Sequence, residues 1–591
     1  GVHGEDHFAR LNDASHPVDM KSLILALSLV AVPALLAAQA EQAPHSAVVP
    51  QPATKLPLKH TPVPTTSAIT AGDLMTRLYI FADDSMQGRE AGTIGNVKGT
   101  DYIAGEVRRL GLMPAGDSGG YFQTIPFKTR ATDPTSTVTV GGVPMTYATE
   151  WAAASPDSAS GSDVPVVFGG VLGDSASMIS SEQMTGKFVV FVFGPQSGSS
   201  LSRASRLSPN AIAAGVILPP QFLGFVARPA QFVDNPGVTP AITRATIFLT
   251  PTSAAKLFEG PVAQLKSGTA GKPISFAIRS KTDPVPYPAR NVVAILPGSD
   301  PKLKGEYVAV GAHNDHVGFN HAPVDHDSIR IFNHIVRPGG AEDQGNRATA
   351  DQQAEVNKLL ADWRASHPGT SRPDSISNGA DDDGSGSVSV LEIAEKLVAQ
   401  NPKPKRSVLF VWHVGEEKGL LGSAYFTDHP TVPRDSIVAQ LNIDMVGRGD
   451  AWDMTGTTKE GAQIHGNPNY LQVVGARRLS TELGDVLEKV NTEGKHGIAF
   501  DYAIDANGHP ANIYCRSDHY EYARYGIPIA FFTTGGHSDY HQVTDEPQYI
   551  DYDHMAKVDN FIADLAMRVA NLDHRVVVDH PKPDPTMGCR Q

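Results

Sequence analysis

Five segments of the chain each carry a side chain that binds a transition metal well. They are VAVGAHNDH (308–316), NGADDDGSG (378–386), FVWHVGEEKGLLGS (410–423), LNIDMVG (441–447) and FFTTGGHSDYHQVTDE (531–546). The candidate metal ligands are His313, Asp382, Glu417, Asp444 and His541. Zinc accepts histidine nitrogen and carboxylate oxygen at about 2.0–2.2 Å and low coordination number. Two histidines and three carboxylates therefore suit two zinc ions, provided that one carboxylate bridges. Asp382 is the natural bridge, because Gly379, Gly384 and Gly386 around it let the backbone approach closely and a helix is expected directly afterwards. His313 and Asp444 then belong to one ion, Glu417 and His541 to the other. A metal pair about 3.5–4 Å apart lowers the pKa of a shared water and clamps a developing oxyanion, which is hydrolytic chemistry. The water's proton needs an acceptor, and Glu416 is left over beside Glu417 to act as general base. Asp315, two residues after His313, is placed to orient an imidazole. Tyr540, next to His541, is placed to donate a hydrogen bond to a tetrahedral intermediate.

These residues are scattered over more than 200 positions, so the fold has to gather them. EYVAVGAH, SVLFVWHV, VAQLNIDM and PIAFFTTG are near-continuous apolar runs, the pattern of strands buried on both faces of a parallel sheet. Each candidate ligand falls at the carboxyl end of such a run or in the loop after it, where open α/β sheets bind ligands. Between the runs, Val388, Leu391, Ala394, Leu397 and Val398 recur at helical spacing, Tyr470–Val490 reads as another helix, and further helices are expected from Ile69 and around Tyr102–Leu110. The expected fold class is α/β, a three-layer sandwich with a mostly parallel central sheet. Residues 133–282 differ. They are rich in Val, Ser, Thr and Gly, with short strand-like runs and one helical stretch at Ser202–Ala214, and read as a small β-rich insert. The sandwich is thus discontinuous, 67–132 and 283–575, with a polar insertion at 322–376 and a tail at 576–591. That insertion carries one amphipathic helix around Val356, Leu359, Leu360 and Trp363 and falls between two ligands. It reads equally as a lid and as a surface loop.

Residues 20–40, MKSLILALSLVAVPALLAAQA, combine Lys21, a short apolar run and the small-x-small string Ala38-Gln39-Ala40. This is the pattern of a secretory signal peptide rather than of a spanning helix, so the expected localisation is secreted or periplasmic, without stable membrane insertion. Residues 1–19 read as an upstream extension, and the Pro-, Ala- and Thr-rich 41–66 as an extended linker. The composition, 41% hydrophobic and 19% charged, is that of a globular protein, and a net charge of −14 gives no electrostatic support for a nucleic-acid partner. The two cysteines, Cys515 and Cys589, have no metal-ligand spacing, and export permits a disulfide between them.

The order and local sequence of AHNDH, NGADDDGSG, GEEKGLLGS, NIDMVG and DYHQVTDE resemble the di-zinc aminopeptidase family that includes secreted bacterial leucyl aminopeptidases, with glutamate carboxypeptidase II and transferrin receptor among its relatives. SDHYEYARYGIP (517–528) and RNVVAILPGSDPKLKGEYV (290–308) fit the same family, and GKFVVFVFG (186–194) followed by AIAAGVILPP makes the β-rich insert resemble a protease-associated domain. The resemblance implies an exopeptidase with two zinc ions per chain, peptide or protein N-termini as substrate, Asp382 bridging, Glu416 as base and Tyr540 stabilising the oxyanion. Carboxypeptidase relatives would need a cation for a terminal carboxylate, and Arg448 and Arg516 are in range by sequence. Single-zinc glutaminyl cyclisation and a non-catalytic binding role are the other readings of this fold. The string GDSGG at 116–120 matches a serine-protease nucleophile motif, but only His45 and His60 lie between 41 and 115, so a glycine-rich turn is expected there. His413 is expected to be a buried strand-end residue, and His321, His326 and His334 to lie on the surface, with extra metal binding as the outside alternative.

Overall fold

A mixed nine-stranded sheet carries the apolar runs. A computed structural model describes residues 56–153, 158–193, 208, 210–234, 245–369, 372–585 and 589–591. The expected signal peptide and most of the linker therefore lie outside the described residues, as does most of the helical stretch expected at Ser202–Ala214. The strands are β1 (Met113–Pro114), β2 (Phe122–Ile125), β3 (Ala289–Leu296), β4 (Tyr307–His313), β5 (Ser407–His413), β6 (Ile437–Ile443), β7 (Tyr470–Val474), β8 (Ala499–Asp501) and β9 (Ile529–Thr533). Their spatial order is β1-β3-β5-β4-β6-β9-β7-β8, with β2 paired to β3. The centre is parallel: β4 pairs with β5 and β6, and β6 with β9. The flanks are antiparallel at β3–β5 and β7–β9. Every residue of β5, β6 and β9 is buried, as continuous apolar runs require.

Helices cover the sheet. They are α1 (Ala71–Phe81), α2 (Ile94–Arg109), α5 (Gly386–Ala399), α6 (Thr481–Glu493) and α7 (Tyr552–Ala570), while α3 (His326–Val336) and α4 (Ala350–Ser366) lie in the 322–376 insertion. One core joins Leu74, Leu78, Ile103, Leu391, Phe410, Leu441, Phe532 and Phe561. A second, on the other face, joins Val293, Leu409, Phe426, Tyr522 and Ile529. These two apolar layers on either side of one sheet make the α/β sandwich. The expected helix Tyr470–Val490 divides: Tyr470–Val474 is the strand β7, and α6 starts only after Ser480, whose hydroxyl accepts Leu483 N. Leu471, Val473 and Val474 alternate into a sheet, and Gly475 at φ 79 then breaks the run. The serine-protease string is a surface turn, with Ser118 at φ 51 and the Asp117 carboxylate accepting Thr124 N.

The described residues between 137 and 278 form a separate eight-stranded sheet with its own core around Trp151, Phe188, Val190, Ile247 and Phe276. The chain leaves for it and returns from it through two paired strands, Phe127–Thr132 and Ser280–Pro284. The 322–376 insertion holds two helices where one was expected, α3 and α4. Val356 is the one fully buried position of α4, with Leu359, Leu360 and Trp363 half-buried. Cys515 and Cys589 are disulfide-bonded, which ties the C-terminal tail to the domain.

One buried ionic knot fastens the first helices to α5. Arg77 donates to Glu392, to Glu106 at 2.6 Å and to Glu395, with its side chain 1% exposed. Glu392 is itself buried, and burial pushes its carboxyl up to about 7 even with the arginine present. Removing one partner of such a knot strands the others. Arg77→Ala should cost about 3–5 kcal/mol, read as a lowered denaturant midpoint.

Candidate active site

The loops at the carboxyl ends of four adjacent parallel strands converge. His313 is the last residue of β4, Glu416 and Glu417 follow β5, Asp444 follows β6, and His541 lies in the loop after β9. The strand order reverses direction about β4, because β5 lies on one side of it and β6 on the other. Such a switch point opens a crevice between the diverging loops. Asp382 reaches it from the turn Ala380–Ser385, directly ahead of α5.

Two donor clusters share one carboxylate. In the first, His313 Nε2 lies 3.2 Å from Asp382 Oδ1 and 3.6 Å from Asp444 Oδ1. In the second, His541 Nε2 lies 2.9 Å from Asp382 Oδ2 and 3.0 Å from Glu417 Oε2. A residue not foreseen from sequence joins the second: His316 Nδ1 is 2.9 Å from Glu417 Oε1 and 3.6 Å from Asp382 Oδ2. His316 is visible in AHNDH, but spacing alone does not say which way a loop residue faces. His313 Nε2, both ring nitrogens of His316, Asp382 Oδ2 and Glu417 Oε1 are buried and make no hydrogen bond. Buried lone pairs left unmet cost free energy, and a divalent cation in each cluster satisfies them together. The donor set, nitrogen and carboxylate oxygen, suits zinc.

Backbone donors hold the carboxylates. Asp383 accepts His313 N at 3.0 Å, Gly386 N at 2.9 Å and Met445 N at 3.2 Å, so one side chain links three of the converging loops. Gly386 is required there, since a Cβ would lie 2.3 Å from both Asp383 Oδ1 and Ile443 O. Asp545 accepts Asp381 N and Asp382 N at 3.0–3.1 Å, and Ser517 Oγ donates to Asp444 Oδ2 at 2.7 Å. Asp315 works otherwise than expected. Its carbonyl, not its carboxylate, lies within hydrogen-bond distance of His313 Nδ1, at 3.1 Å, while its carboxylate accepts Gly415 N at 2.7 Å and Glu416 N at 3.2 Å. The residue thus orients the imidazole through its backbone and fixes the Glu416 turn through its side chain.

Burial, with Asp444 and Glu417 close by, pushes the Glu416 carboxyl well above the usual range, the direction a general base needs. Tyr540 stacks on His541 with ring centroids 4.0 Å apart. Beside the clusters is a cavity of about 340 Å³ bordered by Glu416, Asp444 and Tyr540 and lined on its far side by Met445, Met454, Ile504, Ile513 and Phe531. The insertion reaches it: Gly339, Glu342 and Asp343 line the same cavity, and Ala341 N donates to Tyr540 O at 3.1 Å. Gly340, at φ 58, allows this approach, because a Cβ would stand 2.7 Å from Tyr540 O. The two arginines considered for a substrate carboxylate are both engaged, Arg448 with Asp539 at 2.7 Å and Arg516 with Glu342. Arg448 is buried and does not line the cavity. His413 is buried as expected, pushed by burial down to about 3, and packs on Tyr522 rather than on either cluster.

The family match agrees with this geometry. Peptidase family M28 matches residues 291–566, from β3 through α7. This region is an M28 peptidase domain. Among curated proteins, this chain is similar to leupeptin-inactivating enzyme 1 of Streptomyces exfoliatus, 37% identical over 97 residues, 15% of this chain and 22% of that protein. It is also similar to leucine aminopeptidase 1 of Ajellomyces capsulatus (strain H88), 32% identical over 205 residues, 33% of this chain and 48% of that protein. The chain thus spans less than half the length of these curated relatives. Among solved structures, an aminopeptidase from Aneurinibacillus sp. strain AM-1 aligns at 16% identity and a TM-score of 0.47, over 87% of this chain and 97% of that one.

Two outcomes follow from the M28 site. The Asp444 carboxylate holds His313, and the Glu417 carboxylate holds His541, protonated well above the usual imidazole range against the opposing effect of burial. A metal must displace those protons, so zinc affinity should rise with pH through and beyond 6.5, with proton release visible by calorimetry in buffers of different ionisation enthalpy. Asp383→Asn turns an amide NH₂ toward at least one backbone N–H. It should cost about 1–3 kcal/mol of stability and weaken zinc binding, measured by competition with a chromogenic chelator.

Proposed function

We propose that the protein is a zinc-dependent aminopeptidase that binds two zinc ions and removes apolar N-terminal residues from peptides. The observation that carries this reading is the pair of unsatisfied donor clusters sharing Asp382, with Glu416 free of both and bordering an open, partly apolar cavity. His313 and Asp444 would hold one ion, Glu417, His541 and His316 the other, and Asp382 both. Bound zinc would supply a water of lowered pKa and polarise the scissile carbonyl.

The chain's own groups supply the remainder. Glu416, held by the Asp315 contact to its backbone N–H, takes the water's proton and returns it to the leaving amine. Tyr540 donates its hydroxyl to the oxygen that becomes negative. With Glu342 offset by Arg516, Asp444, Glu416 and Asp343 give the cavity a negative character that attracts a free α-ammonium group, while Met445, Met454, Ile504 and Phe531 take an apolar side chain. Neutralisation of Arg516 by Glu342 disfavours a substrate carboxylate in the same place. The name leucine aminopeptidase, borne by a relative of the M28 domain, agrees with that preference. The 137–278 sheet is proposed as a protease-associated module. Export is proposed from the sequence of residues 20–40, and the Cys515–Cys589 disulfide supports an oxidising compartment.

A panel of aminoacyl-nitroanilides, blocked and unblocked at the N-terminus, tests the activity. Cleavage of unblocked apolar substrates alone, lost on chelation and restored by zinc, is expected. Activity that survives chelation overturns the reading. Glu416→Gln should lower kcat about 10²–10⁴-fold while zinc content stays that of the unaltered protein.

A further inference from the structure

A third donor cluster lies outside the proposed active site, where the insertion meets the loop that follows His541. His326, the first residue of α3, is fully buried, contrary to its expected surface position. His334 is only half-buried, and the side chain of His321 lies outside what the structure describes. His326 N donates to Arg372 O at 3.0 Å, so its backbone is fixed against the returning strand Pro373–Ser377. On the Nδ1 side of its ring is Asp327 Oδ1, at 3.5 Å. On the Nε2 side is Glu546 Oε1, also at 3.5 Å, with an Asp374 carboxylate oxygen within 4.8 Å of both ligand atoms. Neither ring nitrogen makes a hydrogen bond.

The chemistry of this arrangement is specific. With its proton on Nδ1, toward Asp327, the ring takes the arrangement usual for a ligating imidazole and its outer-shell carboxylate. The Nε2 lone pair then faces a carboxylate oxygen. Two acceptors opposed at 3.5 Å repel unless something positive stands between them. Zinc bonds of 2.0–2.2 Å at a tetrahedral angle separate adjacent ligand atoms by about 3.3–3.6 Å, which the 3.5 Å spacing meets. Arg372 Nη2 lies 3.0 Å from Glu546 Oε1 and offsets one of the two carboxylate charges. The other remains, on Asp374, whose Oδ1 accepts Ile376 N.

We infer that His326, Asp374 and Glu546 form a third metal site for a zinc-class divalent cation, one that clasps the insertion to the catalytic domain. Mixed nitrogen and oxygen ligation selects zinc or a neighbouring transition ion over calcium or magnesium. The position gives the ion a structural task. Glu546 adjoins Asp545, which holds the backbone of Asp381 and Asp382, and the clasped insertion carries Gly339, Glu342 and Asp343 to the cavity. The inference does not rest on the peptidase reading.

The test is metal counting on the full chain, stripped by chelator, reconstituted with zinc, dialysed and measured by plasma mass spectrometry. His326→Ala and Asp374→Asn should each hold one equivalent fewer than the unaltered protein. Asp374 is part-exposed with one backbone contact, so its variant tests the site even where His326→Ala fails to fold. Asp382→Ala, which strikes the shared carboxylate of the other clusters, should keep the His326-dependent equivalent, and its own loss reports on the peptidase site alone. Zinc should also slow hydrogen exchange over 326–374 in the unaltered protein and not in Asp374→Asn. Equal zinc content in the unaltered protein and Asp374→Asn overturns the inference.

Discussion

Burial of carboxylates that cannot all be left charged and unmet is the constraint on which this site depends. Asp381, Asp382, Asp383 and Asp545 are each at most 3% exposed, and isolated buried charge is among the costliest things a fold can contain. The chain resolves this in two ways. Asp383 and Asp545 are paid in backbone N–H groups, drawn from the very loops that carry His313, Asp382 and Asp444. Asp382 and Glu417 instead face His313 Nε2 and His316 Nδ1, buried nitrogens that make no hydrogen bond. The first group makes a rigid frame, and the second presents a fixed deficit of positive charge. A cation that fills the deficit is therefore bound by a site already organised for it, and its binding energy adds to the stability of the frame.

The same logic separates positioning from chemistry along each loop. In AHNDH, His313 faces one cluster and His316 the other, while Asp315 between them turns away to hold Gly415 and Glu416. Glu416, proposed as the general base, is thus fixed by the loop that supplies two of the cluster histidines, so Glu416 and the clusters cannot shift independently. In the segment ending at Glu546, His541 faces the second cluster, Asp545 supports the bridging turn, and Glu546 faces the insertion. Three successive functions in six residues explain why this loop is buried and well bonded, although it has no regular secondary structure.

Much of this was legible in the sequence. The four apolar runs named the four central strands, and the position of each candidate ligand after one of them was enough to bring His313, Glu417, Asp444 and His541 to one edge. What escaped was whatever depends on facing rather than order. His316 and His326 are ordinary histidines in a sequence, and only backbone geometry turns them inward. Asp315 was legible as a positioning residue but not as one that uses its carbonyl for the imidazole and its carboxylate for the next loop. Tyr470–Val490 misled because Leu471, Val473 and Val474 satisfy both strand and helix spacing, and Gly475 alone marks the break. The insertion hid a second helix, α3, because its buried positions, His326, Asn333 and Val336, are mostly polar.

The insertion also shows why a long excursion can be tolerated between two ligands. It departs just after His316 and returns just before Asp382, and these points are already neighbours at the switch point. The strands Gly318–Asp325 and Pro373–Ser377 pair antiparallel, with Gly318 opposite Ser377, and close the excursion at its base. Lengthening a loop whose ends are already held together adds little closure entropy, about 0.6 kcal/mol per doubling. The cluster residues on either side therefore need not move when the insertion grows. What the excursion must supply for itself is attachment beyond that base, and two of its contacts reach one loop. Ala341 N bonds to the Tyr540 carbonyl, and His326 and Arg372 meet Glu546. Both fall on the loop that carries His541, so the insertion is anchored to the most heavily used loop of the site, and any motion of one is felt by the other.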